Sequence, residues 1–219
     1  TVPDTVVSVG EGFLRNNREL KSVKLGNGLQ ALAKSSFSNC VKLDSVDFGT
    51  SLVSILDYAF SGCKELASIK LPESMRIIGV SAFSDCEKLA SVELGNGVSS
   101  IGSSAFKETK VVKDAPGGII YVDRWAVGFK DSEEIVLSEQ TRLEFAEGTV
   151  GVADAAFYSW SKGANGDLIF PYDVIEELRF NNDGEFRHIG ALSFAYLHNL
   201  VNLNLYSGIK TIGGSAFTS

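Results

Sequence analysis

The chain has 219 residues, 44% of them hydrophobic, with 22 glycines and a formal charge of −7. That charge argues against nucleic acid as a partner, because phosphate binding needs a basic stripe. No apolar run approaches the ~18 residues that a membrane-spanning helix requires, and Thr1-Val2-Pro3-Asp4 carries no leader pattern.

Residues 1 to 17 read as the tail of one structural coil, with Val6, Val9-Gly10 and Leu14 in positions that later residues repeat. Four regular coils follow. Their aromatic position holds Phe37, Phe60, Phe83 and Phe106, each 23 residues after the last. The predicted strands, near 20–25, 43–48, 66–71 and 89–94, keep the same period: Leu20, Leu43, Leu66, Leu89; Val23, Val46, Ile69, Val92; Leu25, Phe48, Leu71, Leu94. A second short extended piece is expected around Leu32, Ile55, Ile78 and Ile101, and a helical turn should then carry each Phe. So many coincidences at one period mean a solenoid, in which each coil packs on its neighbours. A single coil cannot hide its own apolar side chains. Stacking buries about five per coil, at ~1.5–3 kcal/mol each before the ordering entropy is subtracted.

From Val111 to about Leu137 the period breaks. Gly118–Val122, Asp123-Arg124 and Trp125–Phe129 read as a β-hairpin, although Asp-Arg is not the favoured Asn-Gly turn. Ile135-Val136-Leu137 reads as a further strand. The strand positions resume at Leu143 and Phe145, and Phe157 takes the aromatic position. A second insertion runs from about Ser161 to Asp173. The period returns with Leu178, Phe180, Phe194, Leu200, Leu203, Leu205 and Phe217. Gly79, Gly102, Gly190 and Gly213 share one place in the repeat, but Ala33, Leu56 and Ala153 fill it elsewhere. A left-handed requirement would reject those residues, so close backbone packing or a shallow bend is the expected role.

The spacing Leu-x-x-Val-x-Leu, followed by Ile-Gly-x-x-Ala-Phe-x-x-Cys in Ile78 to Cys86, resembles the BspA-type leucine-rich repeat family of bacterial and protozoan surface proteins. The resemblance covers nearly the whole chain outside the two insertions. The expected fold is a right-handed β/α superhelix of about eight 23-residue coils with little regular helix. It forms one solenoid domain over 1–219: regular coils 1–110, a hairpin insertion 111–138, irregular coils 139–197 and a final coil 198–219. The chain opens mid-coil and stops just after an Ala-Phe pair, which reads as a piece of a longer protein. The resemblance implies an extracellular or cell-surface location and adhesion to host or neighbouring-cell proteins; the alternatives are a carbohydrate-binding module that uses the insertion aromatics, or a structural spacer.

The residues point to little chemistry. Cys40, Cys63 and Cys86 share one repeat position. Three thiols in line do not converge on a metal, and their parallel Cβ vectors disfavour bridging. They read as a buried free-thiol ladder in a packing slot, which Asn17, Thr109, Trp160 and Leu197 fill in other coils. Outward strand residues Lys24, Asp47, Lys70 and Glu93 alternate in sign, as do Glu19, Lys42, Glu65 and Lys88. Opposite charges on neighbouring strands satisfy one another, so these rows read as structural first and as a protein-ligand surface second. Ser22, Ser45, Ser68 and Ser91 form a polar edge. With only two histidines and no hydrolase motif, the chain reads as non-catalytic, without cofactor or intrinsic metal. Aromatics gather at the insertions: Tyr121, Trp125, Phe129, Tyr158, Trp160, Phe170 and Tyr172. They either fill the space that the insertions enclose or bind a ligand, a glycan included, as loops on rigid scaffolds do. Tyr172, which follows a proline, is expected to be the most exposed. The candidate ligand residues are therefore Tyr172, Tyr158 and Phe170 with the row Lys24, Asp47, Lys70 and Glu93. The Phe column, completed by Phe194 and Phe217, and the three cysteines are assigned to the core.

Overall fold

A computed structural model describes residues 1–132, 140–158, 161–162, 168–169, 171–181 and 183–219. The chain forms two compact units, Thr1–Asp114 and Ala115–Ser219. The strand expected at Ile135–Leu137 lies outside the described residues.

The first unit holds β1 (Ser22–Lys24), β2 (Ala31–Leu32), β3 (Ser45–Asp47), β4 (Ser54–Ile55), β5 (Ser68–Lys70), β6 (Ile77–Ile78), β7 (Ser91–Glu93), β8 (Ser100–Ile101) and a single helical turn, α1 (Lys110–Lys113). Odd-numbered strands lie on an outer face as two pairs, β1-β3 and β5-β7, and even-numbered strands form a single inner ladder. The inner ladder β2-β4-β6-β8 is parallel and unbroken, pairing Leu32 with Ile55, Ile55 with Ile78 and Ile78 with Ile101. Each step is one repeat, so the period of the sequence is the register of the sheet.

The Phe segment is not the helical turn expected. It is a run of tight turns with two left-handed residues per coil: Ser35 and Asn39 at φ 55° and 59°, then Tyr58 and Gly62, Ser81 and Asp85, Ser104 and Glu108. Alternate N–H groups bond within the coil, as Ser38 N–H does to Ser35 O (3.1 Å). The others bond to the next coil: Phe37 N–H to Ala59 O (2.7 Å), Phe60 N–H to Ala82 O (2.8 Å), Phe83 N–H to Ala105 O (2.8 Å). A left-handed non-glycine residue costs about 1–2 kcal/mol. The inter-coil bonds, each worth about 1 kcal/mol net, offset part of that strain.

These turns aim the aromatic column inward. Phe37, Phe60, Phe83 and Phe106 stack with centroids 5.1, 5.3 and 5.6 Å apart and planes within 8°, and all four are buried. Phe13 closes one end, edge-on to Phe37 at 6.2 Å. The glycines behave as expected. Gly79 and Gly102 avoid the left-handed region. A Cβ on Gly79 would sit 2.6 Å from Asp57 N, and one on Gly102 would sit 2.6 Å from Val80 N.

In the second unit, β9 (Gly118–Val122) and β10 (Trp125–Lys130) form the predicted hairpin, with Asp123 at φ 53° supplying the left-handed turn residue that Asn or Gly more often provides. Then come β11 (Arg142–Glu144), β12 (Gly151–Val152), β13 (Ser161–Lys162), β14 (Leu168–Ile169), a 3-10 turn (Pro171–Val174), β15 (Glu177–Arg179), β16 (His188–Ile189), β17 (Asn202–Leu203) and β18 (Thr211–Ile212). The hairpin belongs to the solenoid: β10 pairs parallel with β12, and the ladder continues to β16 and β18. The outer ladder is β11-β15-β17. Two columns share the core. Phe157, Phe194 and Phe217 stack at 5.4 Å per step, and Phe145 stacks on Phe180 at 5.2 Å. Among the described residues seven outer strands stand against the eight coils expected, because residues 1 to 17 continue the stack without a strand of their own.

Candidate functional site

The outer strand face of the first unit carries the predicted charge rows. They resolve into dyads between consecutive coils: Lys24 with Asp47 (3.5 Å), Lys70 with Glu93 (2.7 Å), and Lys42 with Glu19 (2.7 Å). Lys88 pairs with Glu65 and Lys64 with Glu87 (2.8 Å) in the same way. The hydrogen bond from Lys42 holds the Glu19 carboxyl below its usual range, and Glu93 raises Lys70. All these groups are exposed, so the pairs set local register more than they stabilise the fold. Every dyad named here joins the coil of β1 to that of β3, or the coil of β5 to that of β7.

The gap in that pattern has a backbone counterpart. β1 pairs with β3 and β5 with β7, but β3 and β5 belong to separate sheets. Leu25 N–H donates to Asp47 O (2.8 Å) and Leu71 N–H to Glu93 O (2.9 Å). Among the described residues, no corresponding bond joins Phe48 N–H to Lys70 O, and neither Ala67 nor Ser68 N–H reaches Asp44 O. Two open grooves of about 480 Å³ each flank this split. One is floored by Val46, Phe48, Leu71 and Pro72, and the other is lined by Lys21, Lys42, Asp44, Lys64 and Glu65. No feature of the outward residue pattern announces the split.

The insertion aromatics are mostly committed to packing. Tyr172 is not the exposed ring expected: it is half-buried and edge-on to Phe157 at 5.8 Å, and burial pushes its phenol up to about 12. The 3-10 turn after Pro171 directs it inward. Trp125 is buried and stacks on His188 at 5.7 Å, within 9° of parallel. Gly151 between them makes this fit possible, since a Cβ there would lie 2.9 Å from both residues. Burial, with Lys210 and Arg187 nearby, lowers the pKa of His188, whose Nδ1 lies 2.9 Å from Thr211 Oγ1. The Tyr121 hydroxyl accepts from Ala146 N–H (2.9 Å). Tyr158 is half-buried and lies 5.7 Å from Tyr196, which is 6.0 Å from His198. Tyr196 and His198 lie outside the insertions, so the clustering of aromatics in the sequence does not point to them. Phe170 and Trp160 lie outside the described residues.

The three cysteines are free and buried. Each thiol donates to a carbonyl of the preceding coil: Cys40 to Leu14 O, Cys63 to Phe37 O and Cys86 to Phe60 O, at 3.2–3.3 Å. Burial pushes the Cys86 thiol up to about 12 and Cys63 further still. A thiol held protonated is neither a nucleophile nor a metal ligand. Among the described residues no cluster of three or more His, Cys, Asp or Glu side chains is placed to hold a metal, and no helix is long and apolar enough to cross a membrane.

The sequence model of the BspA type leucine rich repeat region matches six copies over residues 1–113 and 166–219. The chain belongs to the BspA-type leucine-rich repeat family. Its fold is similar to that of the T. pallidum leucine rich repeat protein TpLRR, at 23% identity and a TM-score of 0.51, over 90% of this chain and 72% of that one. A leucine rich cell surface protein from Faecalibacterium prausnitzii aligns at 18% identity and a TM-score of 0.49, over 99% and 69%. Among curated proteins, no sequence matches. The family region omits 114–165, the stretch in which the hairpin and the column change replace the regular repeat.

Proposed function

We propose that this chain is a non-catalytic interaction module of a bacterial surface or secreted protein, and that it binds a protein ligand through the outward strand rows, Lys24, Asp47, Lys70 and Glu93 among them. The observation that carries this reading is the division of labour within each coil. Aromatic rings and thiols are consumed by the core, while backbone ladders hold a polar, exposed row in fixed register. Such a face suits many modest contacts with a partner of matching charge pattern. Family membership supports an extracellular location and adhesion. Buried thiols are also compatible with an oxidising compartment, since they are withheld from exchange.

The test is capture of surface proteins on an array by the wild-type chain and by a variant with all four row charges reversed. The expected outcome is a protein ligand whose signal falls in the variant while the melting curve is kept. Equal capture by both chains would remove these rows from the function. A second reading, a carbohydrate-binding module, is favoured by the partly exposed Tyr158–Tyr196 pair. It predicts a glycan-array signal that Tyr196→Ala abolishes. Tyr172→Ala is a poor test of that reading, because it also removes a ring packed on Phe157.

A further inference from the structure

We propose that the split between β3 and β5 is a docking site for an extended peptide segment of a protein partner, which adds its backbone as a strand to the open edges. This rests on the interaction-module reading and names the place and the chemistry.

The bond that closes the end of each strand pair follows the residue at the last inward strand position of each coil. There the residues are Leu25, Phe48, Leu71 and Leu94 in the first unit, and Phe145, Phe180 and Leu205 in the second. Where Leu is followed by Leu or Phe in the next coil, its N–H bonds across: Leu25 to Asp47 O and Leu71 to Glu93 O. Where Phe is followed by Phe the rings stack, and the bond also forms: Phe145 N–H to Arg179 O, 3.0 Å. Where Phe is followed by Leu, as in Phe48–Leu71 and Phe180–Leu205, no such bond is formed among the described residues. At Phe180–Leu205 only that end bond is missing and β15 stays paired with β17. At Phe48–Leu71 the whole strand pair is open on the outer face, while the inner ladder β4-β6 and the Phe column stay closed. The Phe48 ring is turned edge-on to Phe60 at 5.6 Å and 73°, with no parallel ring in the next coil to stack against.

The result is a strand-length slot with polar lips and an apolar floor. The lips run from Asp44 to Phe48 and from Ala67 to Leu71, about 17 Å for five residues at ~3.4 Å each. Open strand edges are templates for an added strand, and strand addition draws affinity from the main chain and specificity from alternate side chains. The inward floor of Val46, Phe48, Leu71 and Pro72 calls for apolar side chains at every second position of the guest. The ends differ in charge. At the strand-start end Lys42, Lys64 and Glu65 are matched by Glu19, Glu87 and Lys88, and Lys21 by Asp44, so the charges balance. At the far end Asp47 is paired with Lys24 and Lys70 with Glu93, which leaves the Glu73 carboxylate in excess. A guest parallel to β3 therefore carries a basic residue last.

The experiment uses the full chain and a capped peptide, Glu-Thr-Val-Thr-Val-Thr-Lys, followed by fluorescence anisotropy and amide hydrogen exchange. In the free protein, Phe48 and Ser68 amides should exchange faster than Leu25 and Leu71. The peptide should slow them, and its N-methylated form should not bind. Phe48→Leu and, separately, the double variant Leu71→Phe with Leu94→Phe should close the ladder, protect the Phe48-position amide and weaken peptide binding at least about tenfold, or 1.4 kcal/mol. Swapping Glu and Lys in the peptide should also weaken it. Equal protection of Phe48 and Leu25 in the free chain would overturn the proposal, as would binding indifferent to N-methylation or to both closing variants. Protein capture on the array that survives both closing variants would remove the slot and leave the interaction module standing.

Discussion

His188 occupies an outward place on the inner ladder, yet Trp125 lies flat over it and burial lowers its pKa from the usual 6.5. The neutral ring suits the stack, whereas the charged ring would be desolvated beside Lys210 and Arg187. A folded-state pKa below the unfolded one makes the stabilising contribution complete above about pH 6.5 and lost as pH falls through the folded value. Thermal melting should therefore show stability beginning to drop as pH falls below about 6.5. His188→Gln should flatten that drop. An unchanged slope in the variant would assign the effect elsewhere. Trp125 illustrates what a lone sequence cannot decide: an aromatic in an insertion reads equally as ligand platform or packing, and the glycine at position 151 is what admits it to the core. Tyr172 fell the same way for a different reason, the inward bend of the 3-10 turn.

At the scale of the element, what the period controls was legible and what steric detail controls was not. Equivalent residues 23 apart do lie in columns, and the Gly79 class was correctly assigned to close approach. The segment carrying Phe37 is expected to be a helical turn and is instead a run of tight turns. The sequence offers only a weak sign of its two left-handed residues, since Ser35, Tyr58 and Ser81 are not residues that favour that conformation. They adopt it because alternate amides must reach the next coil. The same logic makes the glycine position testable. In Gly79→Ala the new methyl would meet Asp57 N at 2.6 Å and Leu56 C at 2.7 Å, both backbone atoms that move only if the coils part. Denaturant unfolding should show a loss of about 1–3 kcal/mol. In contrast, Gly10→Ala, with no atom within 4 Å of the added Cβ, should stay within about 0.5 kcal/mol. Equal effects at the two sites would mean that backbone contact between coils is not what selects glycine at position 79.

Across the whole molecule, stability is distributed along the chain. Phe60 and Phe83 each stack on the ring before and the ring after, and the inner ladder advances one coil at a time. Such an architecture behaves as a sum of coil terms and nearest-neighbour interfaces. Damage should then stay close to where it is made. Phe60→Ala removes the ring between Phe37 and Phe83 and should lower the stability of Thr1–Asp114 by about 3–5 kcal/mol. Hydrogen exchange resolves the consequence by position. Amides of the flanking coils, Phe37 and Phe83 among them, should lose protection most. Those of β12, β16 and β18 in the other unit, built on the separate column Phe157-Phe194-Phe217, should keep theirs. A uniform loss over both units would mean that the chain unfolds as one cooperative body, and the coil-by-coil account of its stability would have to be abandoned.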